Sequence, residues 1–127
     1  MTERGEQRLW AVRGAVQVDR NDADAILDAT ERLVTEVMSR NDLAPEEMVS
    51  CIFTLTRDLD AEFPAVAARR LGLDGVPLLC TTEVSVPGSM QRVIRLMLHY
   101  YADAGHEPAH AYLGEAGALR SDLQSAQ

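Results

Sequence analysis

Residues 92–101 read RVIRLMLHYY, and the architecture of this 127-residue chain depends on how that stretch folds. Its β-branched and aromatic residues favour a strand, while its leucine and methionine content leaves a helix open. As a strand it is apolar on both faces, and so is MVSCIFTLT at residues 48–56, which we interpret as a central strand. Both stretches are too apolar for a half-exposed sheet, so we expect part of the sheet to close against another subunit.

Residue patterns elsewhere predict two helices and three more strands. Asn21 and Asp22 are good N-cap residues, and apolar residues then recur at helical spacing, so one amphipathic helix runs to about Arg40. A second helix starts at Pro64 and ends before Gly72, a common residue after a helix C-terminus. The other predicted strands span residues 8–18, 76–84 and 109–113.

These elements indicate one small domain over residues 1–127. The length is usual for a single domain. Strands alternating with two main helices predict an α+β (mixed α/β) fold with a mixed β-sheet. We expect residues 1–7 to form a flexible extension and residues 114–127 to form a mobile tail.

Charge and composition exclude several classes of function. The net charge is −8 and no basic run occurs, which opposes binding to nucleic acid. All 12 basic residues are arginines, so Schiff-base and P-loop lysine chemistry is excluded. No apolar run approaches the ~18 residues that span a bilayer, and the first eight residues lack the apolar core of a signal peptide. We therefore expect no membrane partner and a cytoplasmic location.

Two arginines lie inside apolar strand sequences, Arg13 in AVRGA and Arg95 in VIRLM. In a strand, Arg95 shares a face with Val93 and Met97, so its guanidinium is directed into an apolar layer, where an ion needs a counter-charge. The arginines are internal ion-pair or snorkelling edge residues, or they form a preformed anion site. Glu83, near a strand end, is the matching carboxylate unless it is simply solvated.

Nothing in the sequence predicts metal, redox or covalent chemistry. Cys51 and Cys80 lie in apolar runs, and we interpret them as two reduced thiols rather than a disulfide. His106 and His110 are four residues apart, but Pro108 breaks the helix that this ligand spacing needs. We expect no metal and no cofactor, so an enzyme with this sequence would bind and orient its substrate.

An ordered set of sequence fragments resembles the AroH class of monofunctional chorismate mutases. The resemblance covers about residues 9–123; each fragment is weak alone, whereas their order and spacing are specific. The fragments are VRGA (12–15), LTRDL (55–59), FPA (63–65), VPLLC (76–80), Glu83, VIR (93–95), AYL (111–113) and LR (119–120).

The resemblance implies a homotrimer with a pseudo-α/β-barrel core, active sites at subunit interfaces and cofactor-free conversion of chorismate to prephenate, the branch step toward phenylalanine and tyrosine. It implies that Arg95 hydrogen-bonds the ether oxygen of the breaking bond and that Glu83 accepts from the ring hydroxyl. Arg13 and Tyr112 would hold carboxylate, and Cys80 is included with Arg13, Glu83 and Arg95 in the catalytic set. The other implied substrate-binding residues fall into three groups. The ring side of the pocket would be lined by Leu79, Cys80, Thr81 and Thr82, and the pocket would be closed from the neighbouring subunit by Phe63, Ala65 and Arg69. A tail that orders over the ligand would carry Leu119 and Arg120.

The reaction that the resemblance implies is a [3,3] rearrangement, and an anion site built from arginines suits it. Negative charge accumulates on the ether oxygen in the transition state, and a fixed guanidinium stabilises it there more than in the ground state. Two other hypotheses remain open at this point. A non-catalytic trimeric sensor or scaffold for a small carboxylate would use the same arginines, and a purely structural oligomer would bind no anion.

Overall fold

A computed structural model, which describes residues 5–119, shows a five-stranded mixed sheet with two helices packed on one of its faces. The strands are β1 (Gln7–Gln17), β2 (Met48–Leu55), β3 (Leu78–Thr82), β4 (Val93–Asp103) and β5 (Ala111–Leu113), and the helices are α1 (Ala23–Asn41) and α2 (Pro64–Arg70). Short 3₁₀ helices lie at Pro45–Glu47, Leu73–Gly75 and Gly114–Ala118. The predicted α+β class with a mixed sheet and two main helices is confirmed.

Strand β4 occupies the centre of the sheet, whose order is β3–β2–β4–β1–β5. It pairs antiparallel with β1 on one side and with β2 on the other, while β3 and β5 join the two edges in parallel. The stretch at residues 92–101, open between strand and helix from its sequence, is therefore a strand. Strand β2 is interior, but the central position predicted for it belongs to β4.

Alternation along β4 separates the hydrophobic core from a second face. Ile94, Leu96, Leu98 and Tyr100 are buried and pack with the helices in the main core. The residues between them point to the opposite side, which the helices do not cover and which we call the open face. Pairing register assigns the following residues to the open face: Leu9, Ala11, Arg13, Ala15, Ile52, Thr54, Leu79, Thr81, Val93, Arg95, Met97, His99, Tyr101 and Tyr112.

The open face changes the expected environment of Arg95. Within a single chain its side chain is 39% exposed, so the prediction that an apolar layer encloses the guanidinium is wrong for the isolated subunit. The reason is that α1 and α2 pack on the other side of the sheet, and the 3₁₀ helix at Gly114–Ala118 covers the open face only around Ala15 and Val93.

The helices begin and end where the sequence predicts. The Asp22 carboxylate accepts the Ala25 N–H at the start of α1, a hydrogen bond that lowers the pKa of that carboxyl. Helix α2 begins at Pro64 and is followed by Gly72, whose φ of 96° favours glycine. Within residues 5–119, no helix is both long enough and apolar enough to cross a membrane.

The two short strands are shorter than predicted because their flanking residues have other partners. Before β3, the Val76 N–H closes a 3₁₀ turn on the Leu73 carbonyl. Before β5, the backbone of Ala109 exchanges two hydrogen bonds with the side chain of Asn41. Each edge strand therefore begins two residues later than its sequence pattern indicates.

Both chain ends carry structure inside the segments expected to be mobile. Gln7 opens β1, and the carbonyl of Glu6 accepts the N–H of Ala104. At the other end, Gly114–Ala118 forms a 3₁₀ helix, and Leu119 is buried after it. The rest of the two segments, including Arg120, lies outside the described residues.

Glycine at position 14 allows α1 and β5 to approach β1. A Cβ at Gly14 would lie 2.9 Å from Cδ1 of Leu33 and 3.2 Å from the carbonyl oxygen of Ala111. We predict that Gly14→Ala lowers the free energy of unfolding by about 1–3 kcal/mol through overpacking. Chemical denaturation at one fixed protein concentration measures this, with Gly105→Ala as control because nothing lies within 4 Å of a Cβ there. Equal stability of the two variants would contradict the packing argument.

Candidate active site

A cavity of about 270 Å³ lies at the sheet and draws its walls from four strands and from Glu83, which directly follows β3. It has the size and mixed apolar and polar lining of a site for a small organic ligand. The lining residues are Arg13, Gly14, Ile52, Thr54, Glu83, Arg95, Leu96, Met97 and Tyr112. Four residues predicted for the site, Arg13, Glu83, Arg95 and Tyr112, are thus brought to one cavity.

Arg95 and Glu83 form an ion pair at this cavity. Nε of Arg95 lies 3.1 Å from Oε1 of Glu83, and this nitrogen is buried. Its N–H is not aligned on the carboxylate, so the contact is an ion pair and not a hydrogen bond. The Arg95 side chain as a whole is 39% exposed, and it lines the cavity.

Strand register places Arg13 and Tyr112 beside Arg95. Ala15 of β1 lies opposite both Arg95 and Tyr112, and Arg13 is two residues earlier on the same face. The backbone N–H of Arg13 donates to Nδ1 of His110 at 3.0 Å, which adds to the pairing of β1 with β5. Two guanidinium groups on neighbouring strands therefore share one cavity, and they make it locally cationic although the chain carries a net charge of −8.

A second and larger cavity, of about 620 Å³, lies beside the segment that joins β2 to α2. It contains four other predicted site residues: Phe63, Cys80, Thr81 and Thr82. A single chain does not merge the two cavities, since neither Arg13 nor Arg95 lines the second one. The predicted site is therefore divided between two places on one subunit.

Four predicted site residues, Leu79, Arg69, Ala65 and Leu119, line neither of these cavities in the described chain. Leu79 is exposed on the open face, Arg69 is exposed on α2, and Ala65 is buried with 6% of its surface exposed. Leu119 is buried with Ala15, Val93 and Ala116, next to Tyr112, so it packs at the margin of the first cavity.

The two cysteines are free thiols on the core side of the sheet. Cys51 is buried, and burial, together with the nearby Cys80 thiol, raises its pKa to about 12, so it stays protonated. Cys80 is half-buried and packs against the main core. Its sulfur thus lies across the sheet from the guanidinium of Arg95, and the structure does not bring the Cys80 side chain into the first cavity.

Sequence reasoning missed several lining residues, of which Thr54 is the most informative. Thr54 lies directly opposite Arg95 in the β2–β4 pairing, and its Oγ1 is buried without a hydrogen-bond partner among the described residues. A lone threonine inside the apolar stretch CIFTL was the available signal. Only the cross-strand register, which the sequence does not state, places it against Arg95. Among the described residues, no group of three or more His, Cys, Asp or Glu side chains is placed to hold a metal ion.

Fold and cavity together define a small α+β protein with a cavity lined by two guanidinium groups. Residues 9–123 match the family described as chorismate mutase type I. The chain is 44% identical to chorismate mutase AroH of Thermus thermophilus over 118 residues, which is 91% of this chain and 97% of that protein. It is 36% identical to chorismate mutase AroH of Bacillus subtilis over 117 residues, covering 91% and 92%.

A solved chorismate mutase from Clostridium thermocellum has the same fold. It superposes with a TM-score of 0.82 at 42% identity, over 87% of this chain and 99% of that one. The chain therefore belongs to the chorismate mutase type I family. The predicted activity, isomerisation of chorismate to prephenate, is confirmed, and a non-catalytic sensor is not supported.

The position of Cys80 gives a prediction about the catalytic set. We expect Cys80→Ala to keep kcat within about threefold of the parent, a change of less than ~1 kcal/mol in barrier, because the thiol lies across the sheet from Arg95 and lines the second cavity rather than the first. The loss of chorismate absorbance measures this. Cys51→Ala is the matched control, a second core-side thiol on the neighbouring strand. A hundredfold loss for Cys80→Ala alone would support the catalytic role predicted for Cys80.

Proposed function

We propose that this chain rearranges chorismate to prephenate in the first cavity, by holding the folded dianion and stabilising charge on its ether oxygen. The single observation that carries this assignment is the convergence of Arg13, Arg95 and Glu83 on one cavity. The cytoplasmic location stays a prediction from the sequence.

Substrate binding requires counter-charges, because chorismate carries two carboxylates. Arg13 holds one of them with its planar fork, and Tyr112 donates its hydroxyl to the same group. Glu83 uses one oxygen for Arg95, and its other oxygen is available to accept from the ring hydroxyl. These contacts fold the flexible arm over the ring, and fixing such a geometry supplies up to ~7–11 kcal/mol in favourable intramolecular systems.

Transition-state stabilisation comes from Arg95. The carbon–oxygen bond breaks ahead of carbon–carbon bond formation, so negative charge develops on the ether oxygen. The ion pair with Glu83 keeps the guanidinium at the cavity before the substrate binds, so little reorganisation is needed as the charge appears. No proton moves in this step, which fits a site built from arginines without a histidine base.

A homotrimer completes the site in this proposal. Leu9, Met97 and Tyr101 are large apolar residues that remain substantially exposed on the open face, and apolar surface of this kind marks contact areas between subunits. Closing three sheets inward gives the pseudo-α/β barrel that the resemblance implies. The second cavity of one subunit, with Phe63 and Cys80–Thr82, then meets the first cavity of its neighbour.

The remaining family roles follow from the same arrangement. Phe63 is 66% exposed and Arg69 is exposed, so both are available to a neighbouring subunit, whereas Ala65 offers little surface. Leu119 packs beside Tyr112, so the chain that continues from it starts at the rim of the first cavity. We propose that Arg120 covers the bound ligand from there.

Removing the guanidinium of Arg95 tests the mechanism. We predict that Arg95→Ala lowers kcat by ~10²–10³ or more, in line with the loss of an oxyanion-hole donor, while the protein stays folded. Arg95→Lys should also be severely impaired because an ammonium lacks the fork. Steady-state kinetics on chorismate measure both, with Arg32→Ala, an exposed arginine of α1, as control. Near-parental turnover by Arg95→Ala would remove Arg95 from the mechanism.

The oligomeric state tests the role of the open face. Sedimentation of the parent is expected at three times the 14.0 kDa chain mass. Tyr101→Glu places a charge in the proposed contact and should shift the protein to smaller species with a parallel loss of kcat. Thr35→Glu, on the exposed side of α1, should change neither quantity. A fully active parent that sediments as a single 14.0 kDa chain would refute the trimer.

A further inference from the structure

The last residue of β2 and the residue after it hydrogen-bond to Glu83 and to Val93 at the start of β4, the strand that carries Arg95. The carbonyl of Leu55 accepts the N–H of Glu83 at 2.8 Å. Thr56 exchanges two hydrogen bonds with Val93, two residues before Arg95: its N–H donates to the Val93 carbonyl at 3.1 Å, and its Oγ1 accepts the Val93 N–H at 3.0 Å. Leu55 and Thr56 therefore fix the backbone at Glu83 and at Val93, two residues before Arg95.

Asp58 organises this segment from its outer side. The Thr56 hydroxyl donates to Oδ1 of Asp58, which leaves the oxygen of that hydroxyl oriented to accept from Val93. The same carboxylate accepts the backbone N–H of Arg92, at 3.1 Å from Oδ1 and 3.0 Å from Oδ2. Asp58 does not line the first cavity, so it acts on the site through other residues.

Arg92 needs that support because of its backbone conformation. Its φ is 53°, a left-handed conformation that a side chain with a Cβ rarely adopts, and it directly precedes β4. Its carbonyl and its Nε also bind the backbone of Val18, at 2.7 and 2.9 Å. Backbone held in a sparsely populated conformation persists only where surrounding contacts determine it.

We propose that Asp58 is a positioning residue for the chorismate mutase reaction. Its carboxylate holds Arg92 in the left-handed conformation and orients the hydroxyl of Thr56. These two contacts set where β4 begins, and thereby the placement of Arg95 against Glu83. The inference rests on the proposed role of Arg95.

Asp58→Ala is the direct test, and Asp103→Ala is its matched control. Asp103 is the last residue of β4 and its carboxylate also accepts a side-chain hydrogen bond, from Gln7 at 2.7 Å, but it lines neither of the two cavities. We expect Asp58→Ala to lower kcat by ~10- to 100-fold, the range that a misplacement of about 1 Å produces, with a smaller rise in KM. Asp103→Ala should stay within about twofold. Equal kinetics of the two variants would overturn the proposal.

Rescue by glycine separates positioning from a general loss of structure. Glycine adopts positive φ without steric cost, so Arg92→Gly added to Asp58→Ala should recover at least half of the lost kcat on a logarithmic scale. Thermal unfolding of Asp58→Ala, of its control variant and of the double variant is recorded in parallel. Recovery of thermal stability without recovery of kcat would contradict a positioning role.

A second comparison applies if Asp58→Ala does not fold. Arg92→Val and Arg92→Gly both remove the guanidinium and differ in whether the residue tolerates positive φ, which a β-branched side chain does not. We expect Arg92→Val to have the lower kcat and faster hydrogen exchange at the Val93 amide. Equal values would reject the proposal. Arg95→Ala in the same assay keeps this outcome distinct from a failure of the proposed function. If Arg95→Ala loses activity while the two Arg92 variants are equal, Arg95 keeps its role and only the positioning role of Asp58 is rejected.

Discussion

The rest of the structure depends on β4 being paired on both sides while only one of its faces lies under the helices. Ile94, Leu96 and Leu98 anchor the core against α1, and that layer gives the subunit its stability. The residues that alternate with them along β4 do not pack in this core, so the open face accommodates an arginine at position 95. Separating core and site onto opposite faces of one strand lets the chemistry change without disturbing the packing.

The ion pair between Arg95 and Glu83 shows how a cation is held ready on that face. Nε is buried 3.1 Å from Oε1 of Glu83, while the side chain as a whole is 39% exposed and lines the cavity. An unpaired charge buried away from water is costly, and a guanidinium with every N–H occupied could not bind a ligand. Arg95 avoids both problems because it is paired with Glu83 and remains partly exposed. The same local arrangement explains how a chain of net charge −8 offers a site to a dianion, since the two arginines converge while the acids are dispersed.

The two cavities of a single subunit suggest why a chain of this size would assemble. Four predicted site residues lie in the first cavity and four in the second, on the two sides of the β3 end. A single subunit keeps the two groups apart, because neither Arg13 nor Arg95 lines the second cavity. A neighbouring subunit supplies the missing wall in the proposed trimer, and the exposed apolar residues of the open face are the contacts that would hold it there.

The sequence by itself determined the elements that local patterns encode, namely the long helix capped by Asp22, the helix from Pro64 and the interior strands. It also singled out Arg13, Glu83 and Arg95 as charged residues in or beside strands, as ion-pair residues or as an anion site. Only the tertiary structure decided the register. The sequence pattern predicted β3 and β5 to begin two residues too early. The residues before them bind the Leu73 carbonyl and the Asn41 side chain instead, and no local residue pattern records these contacts. Thr54 opposite Arg95 and Cys80 on the core side follow from pairing in the same way. A one-residue shift in register moves every side chain of a strand to the other face, so membership of the site is a property of the paired sheet and not of any one strand.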